Sequence, residues 1–543
     1  MKKPRFVSLT RFAAALFIFP MAAAWGAPAP LVPEAPITSE PPIKRLFFER
    51  PSAPSMAPLI SGRRLKLSLR EAVTLALARN FDITIEAHNP RIREREVVER
   101  ESDFDSAFTS EVSTEKSRAD TPSSLLASGG QQTSSEQTVS AGIEKKLVTG
   151  AEISLVFETV REDSNSRQKT INPDFDSSLT FSISQPLLKN FGVDVNKAEI
   201  RVATFSLDQS LLIYRDRVIS VIDSVEQAYW DLVFSISNIA FQRKSLELAK
   251  DLRRRNQIQV DVGTLAPIEI LEAEATVARR EEEVIVAERQ VKDREDALKK
   301  LLNVSDNISS WGLRIIPSDQ AQFSPVRVKE LTSTMEALKR RADLQNAKIE
   351  IEKSRIQLHR DRQNLLPELD LSASASNQGA EKTFGKSIDR ESGNKGYTFE
   401  GGLSFRLPLG NRAAKAKFDK ARLQLQRANS SFARLEQSII EEVRRSVRRV
   451  RTDTKRIEAT RLARRLAVER LDSQEKKFKV GLSTSRDVLE DQESVANALT
   501  NEVQALVDYN KSVAQLGRAT YTTFKRFKIK LGDPRKGVPG EKP

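Results

Sequence analysis

Two pairs of carboxylates are the residues of this chain whose type and spacing could do chemistry. Asp487 and Glu490 stand three residues apart on one helix face, just after a glycine turn, with Arg486 beside them. Glu269 and Glu272 stand the same way after an earlier turn. In copies arranged around an axis, such residues become rings of carboxylate, a device for cation preference and gating. Taken singly, they are the acidic first turn that a helix dipole favours. The residues alone leave both readings open.

Other chemistry is poorly supplied. The 543 residues include no cysteine, which excludes a disulfide framework, thiolate metal sites and cysteine nucleophiles. With only His88 and His359 there is no His-Glu-x-x-His zinc site and no Ser-His-Asp triad, and both histidines read as exposed helical residues. Gly481-Leu482-Ser483-Thr484-Ser485 lacks the second glycine of a nucleophile elbow, and no glycine-rich phosphate loop with its lysine is present. No catalytic, cofactor or metal residue is therefore expected. The dense basic run from Arg444 to Arg465 is read as a solvated helix face, balanced by Glu441, Glu442, Asp453 and Glu458, ahead of an anion-attracting lining.

The elements that carry these groups are unusually long. From about Asn196 to Gln259 there is no proline, and Leu207, Leu211, Tyr214, Val218, Ile222, Val225, Tyr229, Leu232, Ile236 and Ile239 recur at spacings of four and three. That is a coiled-coil seam with one stutter, and about 65 helical residues make a rod of roughly 100 Å. The helix turns at Val262-Gly263-Thr264 and returns from Pro267 to about Leu302. An earlier helix opens at the capping box Ser68–Glu71 and runs to about Glu101. Between these helices the period changes to two. Val139, Ala141, Ile143 and Leu147 alternate with polar residues, as do Ile153, Leu155, Phe157 and then Leu179, Phe181, Ile183. Such alternation suits a lipid-facing barrel strand, and equally a surface sheet on a soluble core.

The order then repeats: a helix from Leu338 to Leu366, strand alternation in Leu369–Ala375 and Phe399–Leu407, a long helix from Ala413 to Lys479, a Val480-Gly481-Leu482 turn and a last helix ending near Phe524. Val262-Gly263 aligns with Val480-Gly481, and the same offset pairs Glu269 with Asp487 and Glu272 with Glu490. Gln185-Pro186-Leu187 matches Leu407-Pro408-Leu409, and Asp82-Ile83 matches Asp343-Leu344. The first strand region is longer by about 40 residues, enough for one extra hairpin.

The N-terminus gives the destination. Lys2, Lys3, Arg5 and Arg11 precede an apolar run from Phe12 to Met21 and small residues at Ala22–Ala24, the pattern of a secretory signal peptide cleaved after Gly26. The run falls short of the roughly 20 residues of a spanning helix, and no other stretch approaches that length. A helical membrane protein is thereby excluded; a membrane barrel is not. The formal charge of +14 would suit nucleic acid, but 74 acidic residues are interspersed with 88 basic ones, and export argues against such a partner. The expected organisation is a signal peptide (1–26), a proline-rich arm (27–65), a first repeat (66–303), a linker (304–335), a second repeat (336–525) and a basic tail (526–543).

From Leu67 to about Phe524 the chain resembles the TolC-type outer-membrane efflux proteins. The resemblance is carried by Leu67-Ser68-Leu69-Arg70-Glu71-Ala72, by Ser184-Gln185-Pro186-Leu187-Leu188 before the long helix, and by the doubled Val-Gly turn with Asp487-Val488-Leu489-Glu490 after its second copy. It implies an α+β membrane protein. Three copies would share a transmembrane β-barrel of twelve strands, four from each, continuous with a long periplasmic coiled-coil barrel built from two internal repeats. It implies an outer-membrane channel of a tripartite efflux or secretion system, not an enzyme. The channel would export passively, with a periplasmic adaptor docked at the tip turns of Gly263 and Gly481. An inner-membrane transporter of the RND, ABC or MFS type would supply the energy. Asp487 and Glu490 fall at the family's constricting acidic ring. Glu269 falls at a carboxylate that family members tie to a tyrosine and an arginine; those partners fall here on Phe478 and Ser483, leaving Arg486 as the substitute. The extra hairpin either lengthens loops or adds strands. The alternative reading is a periplasmic coiled-coil scaffold whose strands form a soluble sheet.

Overall fold

Proline spacing decides where the long helices can run, since proline inside a helix removes a hydrogen bond and clashes with the preceding turn. None occurs between Pro186 and Pro267, or between Pro408 and Pro534. The computed structural model describes residues 60–61, 64–120, 131–166, 168–304, 311–393 and 396–529. The signal segment, nearly all of the proline-rich arm and residues 530–543 of the tail lie outside them. The first half comprises β1 (Ile60–Ser61), β2 (Arg64–Leu67), α1 (Leu69–Arg79), α2 (Phe81–Glu101), β3 (Ser106–Asp120), β4 (Gln131–Lys146), β5 (Glu152–Ser164), β6 (Asp174–Pro186), α3 (Val193–Asn196), α4 (Ala198–Asp261) and α5 (Ile268–Leu302). The second comprises β7 (Arg314–Pro317), α6 (Glu330–Arg340), α7 (Ala342–Gln363), β8 (Glu368–Glu381), α8 (Phe384–Ser392), β9 (Gly396–Arg406), α9 (Arg412–Lys479), α10 (Ser485–Ala519) and α11 (Thr523–Phe527). The chain divides into two compact units, one of them holding Val98–Val202 and Ile356–Arg422.

That unit is a single six-stranded antiparallel sheet in the order β3-β4-β5-β6-β8-β9. Four strands come from the first repeat and two from the second. The four strands per chain that the resemblance implies are therefore corrected to six. The additional residues form paired strands, not longer loops. Fifteen residues of β3 pair with β4, from Ser106↔Lys145 to Asp120↔Gln131, and β4 pairs with β5 from Ser134↔Ser164 to Lys146↔Glu152. Gly150, at φ 96°, closes the β4–β5 turn. The Gly192 N–H donates to the Thr149 carbonyl at 3.1 Å, tying this turn to the segment that leads from β6 into α3.

Register aligns the alternating residues of all six strands. Phe108, Ile143, Leu155, Phe181, Ala375 and Phe399 form one cross-strand row on one face. The opposite face is polar, with Ser154 and Ser182 hydroxyls bonded at 2.5 Å and Thr180 donating to Ser376 at 3.0 Å. The polar face is concave, bordering an open space of about 1120 Å³ lined by Glu144, Lys146, Glu152, Ser154, Ser182 and Glu400 among others. Helix α8 covers only a small part of the apolar-row face, where the Ser177 and Ser387 hydroxyls meet at 2.8 Å.

The other unit contains most of the length of the long helices. The seam of α4 is buried as its spacing requires: Leu211, Tyr214, Val218, Ile222, Val225, Tyr229 and Leu232 are all in the interior. Each such side chain contributes on the order of 2 kcal/mol. A sheet not expected from the sequence, β1-β2-β7, lies here. Its β2 pairs in parallel with β7, and Leu65, Leu67 and Ile315 enter the core. Residues 64–65 of the expected arm thus belong to the fold, and so does the start of the expected tail, where Phe527 and Ile529 pack on the same core.

Both shorter helices are broken where one helix was expected. Asn80 leaves the helix at φ −63°, ψ 130°, and Arg341 does so at φ −62°, ψ 130°. The Asn80 carboxamide accepts from the Asp82 and Ile83 N–H groups at 2.9 and 3.3 Å, capping the next helix, as asparagine does well. Arg341 donates to Asp343 at 2.7 Å and to Glu442 at 2.6 Å. The two repeats share this kink while building it from different side chains.

Candidate functional site at the helix tips

The turns α4–α5 and α9–α10 have one geometry. The Gly263 N–H reaches the Val260 carbonyl at 2.9 Å and the Thr264 N–H reaches Gln259 at 2.8 Å. In the second turn Gly481 reaches Phe478 at 3.1 Å and Leu482 reaches Lys477 at 2.9 Å. This is the helix-ending pattern that needs a left-handed residue, and the glycines sit at φ +75° and +76°. Around them Val480 and Leu482 are 69% and 78% exposed, and Val262, Ile268 and Leu271 are exposed as well. Each turn therefore offers an apolar knob.

The carboxylates differ in their surroundings. Asp487 completes a capping box: its carboxylate accepts from the Thr484 N–H at 3.0 Å and hydroxyl at 2.8 Å, while its own N–H donates to Thr484 Oγ1 at 3.2 Å. Ser483 Oγ adds a third bond at 3.2 Å. The Thr484 N–H and hydroxyl, with Ser483 and the nearby Arg486 charge, hold the Asp487 carboxyl below the usual carboxylate range. Helix capping is thus realised at Asp487. Glu490 and Glu272 are exposed. At Glu269, Oε2 is buried without a hydrogen-bond partner among the described residues. No ion pair joins Arg486 to Glu269 among those residues. Within one chain the structure does not bring about the substitute bond that the sequence suggested.

Residues that the sequence reading passed over connect the tips. The buried Asn256 of α4 donates from Nδ2 to Ser485 Oγ at 2.7 Å and to the Glu269 carbonyl at 3.4 Å. Its repeat counterpart, Gln474, donates to Ser483 Oγ at 2.8 Å. Applying the repeat offset to polar residues as well as to the turn would have exposed this pair of carboxamides. Farther from the tips, buried Arg280 of α5 meets Glu283 at 2.8 Å and Glu493 of α10 at 3.0 Å. The basic run of α9 is also not merely solvated: Arg456 meets Asp508 at 2.7 Å and Arg464 meets Glu502 at 2.5 Å, both on α10, and Arg444 meets Glu330 at 2.8 Å. Of the expected balancing acids, Glu441 is taken by Arg445.

No group of three or more potential metal ligands and no helix long and apolar enough to cross a membrane occurs among the described residues. What remains is a chain with a paired-strand sheet, two long helical hairpins and matching tips. Residues 124–304 and 334–520 match the family described as outer membrane efflux protein. The chain belongs to that family. It is an outer-membrane efflux channel protein, with its long helices on the periplasmic side, and the scaffold alternative falls with this membership. The family consists of channels rather than enzymes. Solved channels share the fold. A membrane protein from Pseudomonas aeruginosa superposes with a TM-score of 0.63 at 16% identity, covering 87% of this chain and 99% of that one. The Campylobacter jejuni CmeC outer membrane channel gives 0.61 at 16% identity, covering 86% and 90%. The Neisseria gonorrhoeae MtrE outer membrane channel, in its open state, gives 0.59 at 17%, covering 83% and 88%. No curated protein matches the chain.

Proposed function

We propose that this efflux protein works as a homotrimer, the outer-membrane duct of a tripartite efflux or secretion system. A periplasmic adaptor docks at the tips, and an inner-membrane transporter of the RND, ABC or MFS type supplies the energy. The observation that carries this reading is the sheet: one face presents a continuous apolar row across six strands and the other is polar and concave. In hydrocarbon every backbone polar group must be satisfied, which only a closed barrel achieves for strands.

Transport through the duct is passive, as membership of a family of channels supports. The tips supply the gate. Asp487, Glu490, Glu269 and Glu272 form carboxylate rings when three copies meet, with Arg486 adjacent, and the knobs around Gly263 and Gly481 receive the adaptor. The apolar exposure of Val480 and Leu482 supports a docking role, since exposed apolar patches rimmed by polar residues mark interaction sites.

The test is assembly and transport together. The chain purified from outer membranes in detergent is expected to have the mass of three copies and to conduct in planar bilayers. It should also be retained by an adaptor co-expressed with it. A soluble monomer without conductance would sink the proposal. Retention that survives Val480→Asp combined with Leu482→Asp would remove the tips from adaptor docking.

A further inference from the structure

The six-stranded sheet ends in two free edges, β3 and β9. Strand β3 has 15 residues and β9 has 11, each long enough for a transmembrane strand of about 9–11 residues. All neighbours in this sheet are antiparallel. With six strands, β3 and β9 run in opposite directions, so β3 of one copy set beside β9 of the next continues the same alternation. The side-chain pattern also continues: Phe108 and Val112 on β3 and Phe399 and Leu403 on β9 share the apolar-row face and are exposed at the edges. The concave polar face gives the curvature that closure requires.

We infer that the β3 edge is completed by the β9 edge of a second copy, and that three copies close an eighteen-stranded barrel instead of a twelve-stranded one. This rests on the trimeric channel reading above. Strands about 4.8 Å apart and tilted about 40° give a backbone diameter of roughly 36 Å for eighteen strands, against roughly 24 Å for twelve. The cross-section enclosed by the backbone is about twice as large, so the membrane-spanning part admits larger cargo. The wall facing that cargo is rich in serine and carboxylate: Glu111, Glu136, Glu158 and Glu400 all lie on the polar face. It therefore suits neutral or cationic cargo better than anions.

The chain has no cysteine, so engineered thiols report without background. Ser110→Cys in β3 is combined in turn with Phe399→Cys, Gly401→Cys and Leu403→Cys in β9, in the full-length protein in detergent. Phe157→Cys in β5 with the same three is the comparison. Oxidation is expected to give covalent dimers and trimers with Ser110→Cys only, and end-on electron-microscope averages should show a barrel about 1.5 times as wide as a twelve-stranded one. Crosslinks through Phe157→Cys would make β5 the true edge and overturn the eighteen-stranded barrel while leaving the channel intact. A mass of two copies would overturn it too, since twelve strands then close the ring. A detergent-independent monomer would remove the channel reading and this inference with it.

Discussion

The Asn256 carboxamide and the Ser485 hydroxyl, 229 positions apart, meet at 2.7 Å in the buried interior. This bond joins the first helical hairpin to the second, about two turns from Gly263 and one from Gly481. A buried donor stripped of its acceptor costs about 1–3 kcal/mol, and Asn256 Oδ1 is already without a partner among the described residues. Ser485→Ala is therefore expected to lower thermal stability in detergent and to raise single-channel conductance by letting the hairpins separate. Ser483→Ala, at a less buried serine, should do less of both. Equal conductance of Ser485→Ala and the native channel would remove Asn256 from the gate.

The tip glycines are constrained by backbone angle and not by space, because nothing lies within 4 Å of a Cβ built at Gly263 or Gly481. A left-handed conformation costs a residue with a Cβ roughly 1–2 kcal/mol. Gly481→Ala should lower stability by about that amount, whereas Gly312→Ala, also in open space but without a positive φ, should be nearly neutral. Thermal unfolding of the three proteins side by side checks it.

Long-period patterns were the legible part of this sequence. The α4 seam, both tip turns and five of the six strands of the large sheet stand where spacing put them, because burial and φ restrictions act at the residues that carry the pattern. Strand β3 was not legible: Ser106–Asp120 has only Phe108 and Val112 as large apolar residues, and as an edge strand its stability comes from fifteen paired positions along β4. The helix breaks at Asn80 and Arg341 were missed for another reason. They depend on a side-chain cap in one repeat and on ion pairs to Asp343 and Glu442 in the other, contacts that no local window contains. The small sheet was hidden likewise, since β2 pairs with β7 about 250 residues on. At the tips, residue types were legible but roles were not, because a capping aspartate and a ring aspartate look alike until bonds are assigned.

Those bonds separate two carboxylates that spacing treated as equivalent. Asp487 completes the capping box of its own helix, so Asp487→Ala should lower stability as well as weaken block by divalent cations. Glu490 is exposed, so Glu490→Ala should weaken block and leave stability within about 0.5 kcal/mol. Titrating conductance with a divalent cation, alongside unfolding, reads both. Block unchanged in the double variant would leave capping and surface charge as the whole role of these residues.

Glu226 gives a pH dependence with a definite sign. It lies on α4, 1% exposed, with Arg526 of α11 at 2.8 Å. Burial is the largest influence and pushes its carboxyl up from 4.5 to about 7; Arg526 opposes this and Asp223 adds to it. The folded chain therefore holds this proton more tightly than the unfolded chain, and its stabilising effect is complete below about pH 4.5. As pH rises from there through about 7 the effect is lost, and above that stability from this group is flat. With about 1.4 kcal/mol for each unit of difference, the change between pH 5 and pH 8 is on the order of 2 kcal/mol. Glu226→Gln keeps the shape without the titration. The native protein should thus lose more thermal stability than Glu226→Gln over that interval, and other titrating groups cancel in the comparison. Parallel pH profiles for the two proteins would mean that Arg526 holds Glu226 ionised throughout.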